Sequence, residues 1–308
     1  MRQRHAVAVC RWCGGRFERW WNAHWLCATL ACAERQRLHA IPKEPAPEDP
    51  DVSPYVYVPT PAGVELHEDR HPNVLFGGAA GGSKSFGLRW DAYKWCRQID
   101  HYAVLLLRRT FPELDRTHLR DMMREAGVIG GAYRPSERRM LFPNGSFVEA
   151  GHCESTKDML KYLSTEYDHI IFDEGSTFDE EPIREISSRA RSAKPLVLER
   201  GGAFVRFGSN PGGPGALYLL EHFISQHPDP VEFPRYRPEF YSFIRARIDD
   251  NPYLSEDYES TRLDPLSDTR RKQLRDGDWS VFGSQFFHAW SPTRDGLPWH
   301  VANLDAAC

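Results

Sequence analysis

The sequence has no apolar run close to the roughly 20 residues that a helix needs to cross a bilayer. It also shows no signal peptide, because the basic start at Met1–His5 leads into a segment that Arg11 and Arg16 interrupt. Internal repeats and coiled-coil heptads are missing as well, which argues against solenoid and long coiled-coil architectures. We therefore expect a cytoplasmic globular protein without a membrane partner.

Positive charge is not in excess, since 39 Lys and Arg stand against 43 Asp and Glu for a net charge of −4. Any contact with nucleic acid must therefore be local. Residues 1–40 differ from the rest, with seven Arg against two Glu. This basic segment either contacts DNA or an acidic partner, or is a solvated charged surface. The hydrophobic share of 41% is enough for a sizeable core.

Four of the seven cysteines are clustered near the start of the chain. These are Cys10, Cys13, Cys27 and Cys32. In a reducing compartment, two close pairs of thiolates indicate a tetrahedral structural zinc site rather than disulfides. His24 or His39 could replace one of the cysteines as a ligand. The alternative is four buried free cysteines among the nearby tryptophans.

The chain divides by composition into four segments. Residues 1–40 are expected to form a zinc-knuckle or zinc-ribbon-like module, 41–54 a Pro-rich linker, 55–290 one α/β domain, and 291–308 a connecting segment. Within 55–290, apolar runs predict strands at 73–76, 102–107, 169–172 and 203–207, helices at 83–97 and 112–125, and a hairpin of 139–142 with 146–150. Strands that alternate with helices predict an α/β fold with a mainly parallel central sheet flanked by helices.

A glycine-rich segment follows the strand at 73–76 and begins the next helix, which is the context of a phosphate-binding loop. The residues predicted to contact the phosphates are Gly78, Ala79, Ala80, Gly81, Gly82, Ser83, Lys84 and Ser85. Lys84 would reach the outer phosphates and the Ser85 hydroxyl would bind Mg²⁺. Ser83 stands where the consensus has its second glycine. The alternative is a tight strand–helix turn with an incidental lysine.

Two adjacent carboxylates, Asp173 and Glu174, end the apolar run at 169–172. In nucleotide hydrolysis the first would hold Mg²⁺, and the second would orient and deprotonate the attacking water. The alternative is an acidic helix start, but this does not explain the glycine-rich loop earlier in the chain. The chain has no Asn-Lys-x-Asp motif to read guanine, so ATP is favoured over GTP.

A third polar segment, Ser209-Asn210-Pro211, follows the apolar run at 203–207. Asn210 at such a strand end could sense the γ-phosphate of a bound nucleotide. An ordinary Asn-Pro-Gly turn is the alternative.

Taken in order, VLFGGAAGGSKSFGLRWDAYKW, LLLRRTFPEL, HIIFDEGSTF and RFGSNPGG resemble the ATPase half of tailed-phage terminase large subunits over about residues 55–290. The resemblance implies a P-loop NTPase fold of the RecA/ASCE type that hydrolyses ATP with Mg²⁺ and drives double-stranded DNA into a procapsid. Lys84 and Ser85 match the Walker A motif of that family, and Asp173 and Glu174 match its Walker B aspartate and catalytic glutamate. Ser209–Pro211 matches its coupling motif.

The resemblance also implies partners. Such motors act as homo-oligomeric rings in the host cytoplasm at the procapsid portal, with a portal protein and a small terminase subunit. An arginine from one subunit completes the site of the next, and we take Arg109 as the candidate. Arg108, Arg189 and Arg191 are further candidates, each with a surface or structural ion pair as its alternative.

A full terminase large subunit also carries a nuclease with clustered carboxylates. After Trp279 the carboxylate side chains of this sequence are Asp295 and Asp305 alone. The segment Phe286–Val301 resembles the connection into that nuclease. Nuclease activity is therefore not expected of this chain. Two other functions stay open, a helicase-like DNA-dependent ATPase and a non-catalytic zinc- and DNA-binding module with a decayed nucleotide site.

Metal analysis of a fragment that spans residues 1–40 tests the zinc prediction. We expect bound zinc, because so short a segment cannot hold a stable apolar core and needs metal to fold. A fragment that carries no zinc contradicts the prediction.

Overall fold

The computed structural model describes residues 58–251, 254–255 and 257–279, together with the backbone of two short strands, β1 (Val7–Val9) and β2 (Arg16–Glu18). The two short strands pair antiparallel. The four cysteines predicted to bind zinc and the Pro-rich segment 41–54 lie outside the described residues. The division of the chain at residues 40, 54 and 290 stays a prediction.

An eight-stranded sheet forms the centre of the fold. Its strands are β3 (Asn73–Gly78), β4 (Ala103–Arg108), β5 (Ala132–Arg134), β6 (Arg139–Leu141), β7 (Phe147–His152), β8 (His169–Asp173), β9 (Phe204–Ser209) and β10 (Tyr241–Ala246). They lie in the order β10-β3-β9-β8-β4-β7-β6-β5. The six strands from β10 to β7 are parallel, whereas β6 pairs antiparallel with β7 and β5. The prediction of an α/β fold with a mainly parallel sheet is confirmed.

Short helical segments connect the strands. The α-helices are α1 (Pro61–Glu68), α2 (Lys84–Gln98), α3 (Phe111–Leu114), α4 (Arg120–Ile129), α5 (Thr156–Leu160), α6 (Glu180–Ser187), α7 (Pro195–Leu198), α8 (Ala216–Leu219) and α9 (Asp268–Arg271). A π-helical turn, Asp115–Leu119, joins α3 to α4, so the predicted helix at 112–125 is one continuous helical segment. Further π-helical turns are Leu220–Ile224, Glu259–Leu263 and Lys272–Asp276, and 3₁₀ turns are Gly175–Thr177 and Pro238–Phe240. Of the helices in the described residues, none has the length and apolar character of a membrane span.

Alternate residues of the central strands enter two apolar layers on opposite faces of the sheet. In β4, Val104 and Leu106 pack in one layer, and Leu105 and Leu107 pack in the other. This division follows from the two-residue period of a strand. Helix α2 covers the first layer, and α6 and α8 cover the second. Each fully buried Leu or Val side chain contributes about 1.5–3 kcal/mol, so the layers hold the central strands firmly in place.

A buried ion pair and a buried hydrogen bond set the rotation of α2 against its neighbours. Arg89 Nη2 lies 2.9 Å from Glu125 Oε1 of α4, and Asp91 Oδ1 lies 3.0 Å from His67 Nδ1 of α1. All four side chains are buried. Loss of one partner would leave a buried charge or polar group without this contact, so each pair holds α2 in one orientation. That orientation directs the first turn of α2 toward the ends of the parallel strands.

Strand β9 follows β3 and β8 in the sequence but lies between them in the sheet. In the register of these strands, Gly77 is opposite Ser209, and Asp173 is opposite Gly208. The carboxyl ends of the three strands are therefore at one level of the same sheet edge. This topology brings the three polar segments of the sequence together.

A methyl group added at Gly208 tests this close packing. Its Cβ would lie 2.4 Å from Leu88 Cδ1 and 2.9 Å from Asp173 Oδ1. We expect Gly208→Ala to lower the free energy of unfolding by about 1–3 kcal/mol in urea titrations, because the tight packing leaves no room. Gly127→Ala is the control. Around a Cβ at Gly127 the described residues leave open space, so this change within α4 should stabilise by up to about 1 kcal/mol. Equal stability of Gly208→Ala and the wild type would contradict the packing described here.

Candidate nucleotide-binding site

The glycine-rich loop between β3 and α2 needs left-handed backbone at three positions. Gly78 has φ of 126° and Gly81 has φ of 73°, values that glycine adopts without strain. Ser83, the residue that precedes α2, has φ of 56° and ψ of 25°, and its side chain makes no capping hydrogen bond. Ser83 therefore replaces the consensus glycine at a position where the backbone favours glycine. A non-glycine residue in this left-handed conformation costs about 1–2 kcal/mol. The loop conformation itself does not depend on glycine at position 83.

Neighbouring segments hold the first part of the loop. The Ala79 N–H donates to Ala246 O at the end of β10 over 2.9 Å, and the Ala80 N–H donates to Leu274 O over 2.7 Å. These two amides are occupied by protein carbonyls. The amides at the start of α2 have no acceptor within the helix, and they carry the positive end of its dipole. An anion would therefore be held by the later part of the predicted loop, at the start of α2.

Lys84 is the first residue of α2 and is partly buried. Its ammonium group donates to Ala79 O within the loop. Burial lowers the pKa of Lys84 to about 8, although the carboxylates of Asp173 and Glu174 act in the opposite direction. The lysine predicted to reach the phosphates therefore lies in the field of the predicted Walker B carboxylates.

The Ser85 hydroxyl donates to Asp173 Oδ2 over 2.8 Å, which joins α2 to the end of β8. Asp173 is fully buried. Burial alone would raise the pKa of Asp173, but the hydrogen bond from His118 and the nearby Arg108 outweigh it and hold the pKa below its ordinary value. Asp173 is therefore ionised. An ionised carboxylate beside a hydroxyl offers the hard oxygen ligands that Mg²⁺ prefers.

Glu174 leaves the strand in a left-handed conformation, with φ of 56° and ψ of 48°. Non-glycine residues in this region are often found at functional sites. Its side chain is 47% exposed, and Oε1 lies 3.3 Å from Arg108 Nη1. The same nitrogen lies 3.6 Å from Asp173 Oδ2. Arg108 therefore faces both carboxylates of its own chain.

The other predicted arginines lie away from these carboxylates. Arg109 Nη2 lies 3.1 Å from Asp179 Oδ2, and Arg109 also donates to the carbonyl of Cys153. Arg189 donates to the carbonyl of Leu163, and Arg191 pairs with Glu166. A role for Arg109 toward a neighbouring subunit stays a prediction.

The loop after β9 is hydrogen-bonded to the turn after β8. The Ser176 N–H donates to Ser209 Oγ over 3.0 Å, and the Ser176 hydroxyl donates to Asn210 O over 2.9 Å. Oδ1 of Asn210 is buried and finds no hydrogen-bond donor in the described part of the chain. A Cβ at Gly213 would lie 2.4 Å from Ser176 O, so the two loops are in close contact. The turn that follows Glu174 and the loop that contains Asn210 are therefore in direct contact.

Some contributors to the site carry no recognisable sequence signal. His118 is fully buried on the π-helical turn before α4, and its Nε2 lies 2.7 Å from Asp173 Oδ2. The π-helical turn Lys272–Asp276 also contacts the site, because Leu274 accepts from the loop and Arg270 just before it donates to Pro211 O over 3.4 Å. The one signal that could have identified His118 is the burial of an ionisable side chain on a helix. A single sequence does not reveal burial.

Metal ligands in this site would be few. Within residues 58–279 as described, no group of three or more His, Cys, Asp or Glu side chains could hold a metal ion. Ser85 and Asp173 supply two oxygens, which suits Mg²⁺ because it is usually bound by one or two protein ligands together with substrate phosphates and water.

Comparison with solved structures finds this fold in large terminases of tailed phages. The large terminase of a thermophilic bacteriophage superposes with a TM-score of 0.59 and 12% identity over 72% of this chain and 54% of that one. The complex of the same phage protein with ADP gives a TM-score of 0.56, 13% identity, and coverage of 71% and 53%. The large terminase ATPase domain of Thermus phage P74-26 gives 0.51, 15% identity, and coverage of 72% and 94%.

At these identities the likeness shows the fold alone. This chain spans about half the length of the thermophilic phage protein, at 54%, and nearly all of the P74-26 ATPase domain, at 94%. Neither the protein-family models nor the curated proteins provide a match to the sequence. The resemblance read from the motifs is thus confirmed at the level of the fold.

The lowered pKa of Lys84 predicts a pH dependence in nucleotide-free protein with EDTA present. Because Lys84 has a pKa of about 8 in the folded protein against an ordinary 10.5, the unfolded chain binds more protons between these values. Lys84 therefore raises the free energy of unfolding of the wild type as pH rises from 8 to 10.5, and Lys84→Met lacks this increase. We expect the free energy of unfolding of Lys84→Met, minus that of the wild type, to fall over this range in urea titrations.

Lys157→Met is the matched control, because Lys157 is an exposed lysine of α5. Its difference from the wild type should stay flat over the same pH range. A flat difference for Lys84→Met as well would contradict the lowered pKa.

Proposed function

We propose that this chain hydrolyses ATP to drive double-stranded viral DNA into a procapsid, as the motor part of a terminase large subunit. The observation that carries the proposal is the hydrogen bond of 2.8 Å between Ser85 and Asp173. It brings the glycine-rich loop and the carboxylate pair to one point, where a single triphosphate with its metal ion can contact both. The fold likeness to phage large terminases, among them structures of the thermophilic phage protein with ADP and with ATP-γ-S, supports the same function.

In the proposed mechanism, the β- and γ-phosphates of ATP bind the amides at the start of α2, and Lys84 contacts the outer phosphate oxygens. Mg²⁺ neutralises developing charge on the phosphates when bound, and Ser85 and Asp173 would hold it. Glu174 orients the attacking water and accepts its proton. Because Arg108 pairs with Glu174 at 3.3 Å, this pair must loosen before Glu174 can act as a base.

Loss of the γ-phosphate would then be passed to the rest of the chain through Asn210. The turn after Glu174 and the loop after β9 share two hydrogen bonds through Ser176, so the two move together. Arg270 extends the contact from that loop to α9 through the carbonyl of Pro211. These contacts support a coupling role for the Ser209–Pro211 segment.

The motor function implies partners and surroundings. We propose that the chain acts in a homo-oligomeric ring on double-stranded DNA, with a portal protein and a small terminase subunit, in the host cytoplasm at the procapsid portal. Arg109 of one subunit is proposed to complete the site of the next. A structural zinc ion on Cys10, Cys13, Cys27 and Cys32 belongs to the same proposal.

ATP turnover by the purified chain, with and without duplex DNA, tests the proposal. We expect weak basal hydrolysis that duplex DNA increases. Lys84→Ala should lose nucleotide binding, because the ammonium group contributes most of the side-chain charge toward the phosphates. Glu174→Gln should retain nucleotide binding and lose turnover by about 10²–10⁴-fold, because it removes the general base alone.

Exposed residues outside the site provide the controls, Lys157→Ala for the lysine and Glu181→Gln for the glutamate. Both should retain wild-type turnover. Wild-type turnover in Glu174→Gln would contradict the mechanism. Stimulation by single-stranded DNA with strand separation would favour a helicase instead, and DNA binding without nucleotide binding would favour a non-catalytic module.

A further inference from the structure

A chain of buried polar contacts leads from the interior to Asp173. Tyr93 donates its hydroxyl to Glu125 Oε2 over 2.8 Å, and Arg89 contacts both oxygens of Glu125. Arg89 Nη1 in turn lies 3.2 Å from Nδ1 of His118. His118 Nε2 then lies 2.7 Å from Asp173 Oδ2. The chain thus links α2, α4 and the end of β8.

The contacts of His118 fix which of its ring nitrogens carries the proton. Arg89 can only donate hydrogen bonds, so Nδ1 of His118 must accept. Nε2 therefore carries the hydrogen and donates it to Asp173. Arg89 itself is held in place by Glu125 and by Asp121, whose Oδ2 lies 2.8 Å from Arg89 Nη2. The ring has one orientation and one donor direction.

The backbone at His118 supports this placement. His118 belongs to the π-helical turn Asp115–Leu119, which interrupts an otherwise α-helical segment. Such turns are frequently found at functional sites, and this one differs from the other three in the described residues because it contacts Asp173. Here the turn buries His118 and Leu119 while Asp115 and Arg116 stay exposed.

Asp173 Oδ2 receives two hydrogen bonds, one from Ser85 and one from His118. The Ser85 hydroxyl can bind Mg²⁺ through an oxygen lone pair and still donate its hydrogen to Asp173, but a donor that is itself a metal ligand does not fix the carboxylate independently of the metal. Arg108 lies further away, at 3.6 Å, and its charge would repel the metal ion. The imidazole of His118 can stay as a donor, and in the tautomer set by Arg89 it brings no charge toward the metal.

We infer that His118 is a positioning residue of the magnesium site, one that holds the Asp173 carboxylate in the orientation needed to bind the metal with ATP. The inference rests on the proposed function and names a residue through which it operates. Donors of this kind, one step removed from the metal, typically change metal affinity by 10- to 100-fold when they are removed. His118 contacts neither the nucleotide nor the metal in this role.

The test compares variants that differ in how far a donor reaches. In His118→Gln the amide nitrogen reaches about as far as Nε2 of histidine and can donate to Asp173. His118→Asn carries the same amide one methylene shorter, so its donor stops near the position of Nδ1. His118→Ala removes the donor altogether. The Gln and Asn variants keep a polar, similarly buried side chain and so separate donor reach from folding.

The primary readout is the dissociation constant of ATP-γ-S in excess Mg²⁺ and in EDTA, measured by calorimetry. In the wild type, we expect Mg²⁺ to lower the dissociation constant of ATP-γ-S. In His118→Asn and His118→Ala the dissociation constant in Mg²⁺ should be higher by about 10-fold or more, while the constant in EDTA stays unchanged. His118→Gln should recover most of the affinity in Mg²⁺. The Mg²⁺ concentration for half-maximal turnover should rise in the same order. If His118→Ala does not fold, the Gln and Asn pair carries the comparison.

His222→Ala is the matched control. His222 is also buried, but its Nδ1 contacts the carbonyl of Tyr218. Its loss should lower the thermal midpoint and leave the Mg²⁺ dependence unchanged. Wild-type Mg²⁺ dependence in His118→Asn, or a His118→Gln variant as impaired as His118→Asn, would overturn the inference. A wild-type chain that does not bind ATP-γ-S would instead overturn the proposed function.

Discussion

The hydrogen bond from Ser85 to Asp173 is the contact on which the arrangement of the site depends, because it joins two segments that are far apart in the sequence. It can form only if α2 begins beside the end of β8. The strand order provides this, since only β9 separates β3 from β8 in the sheet. The buried contacts of Arg89 with Glu125 and of Asp91 with His67 then hold α2 in the matching rotation. A slip of one residue in β8 would turn Asp173 to the other face of the sheet.

Two cationic side chains and a neutral hydrogen-bond donor meet the carboxylates at this sheet edge. Lys84, Arg108 and His118 all act on Asp173 or its neighbour Glu174. These groups compensate the buried carboxylate, which would otherwise be costly to keep ionised. A metal ion with a triphosphate would exchange some of these contacts for stronger ones. The site is thus held in shape by contacts among the protein's own groups.

Much of the fold follows from local sequence, and the site follows from it in part. Continuous apolar runs identified β4 and β8, and the glycine-rich loop identified the start of α2. Strand β10 was missed, because Tyr241–Ala246 forms the outer strand and its burial depends on pairing with β3. The carbonyls of Ala246 and Leu274 that hold the loop were also missed, since backbone groups have no residue signature.

Position 118 shows the limit most clearly. A histidine in a helical segment is usually a surface or core residue, and only the tertiary contacts with Arg89 and Asp173 distinguish this one. The sequence did predict that Asp173 and Lys84 serve one nucleotide, because a glycine-rich loop and a later carboxylate pair together are typical of nucleotide hydrolysis. It could not indicate what orients Asp173 there, because those donors come from α2 and the turn before α4.

A crystal structure of the chain with ATP-γ-S and Mg²⁺ tests the central claim most directly, namely that Lys84 and the carboxylate pair serve one nucleotide. We expect the phosphates on the amides at the start of α2, with Mg²⁺ about 2.1 Å from Ser85 Oγ and bound to Asp173 directly or through water. Nucleotide bound at another place, or phosphates at Lys84 with a metal ion that neither Ser85 nor Asp173 approaches, would contradict the claim.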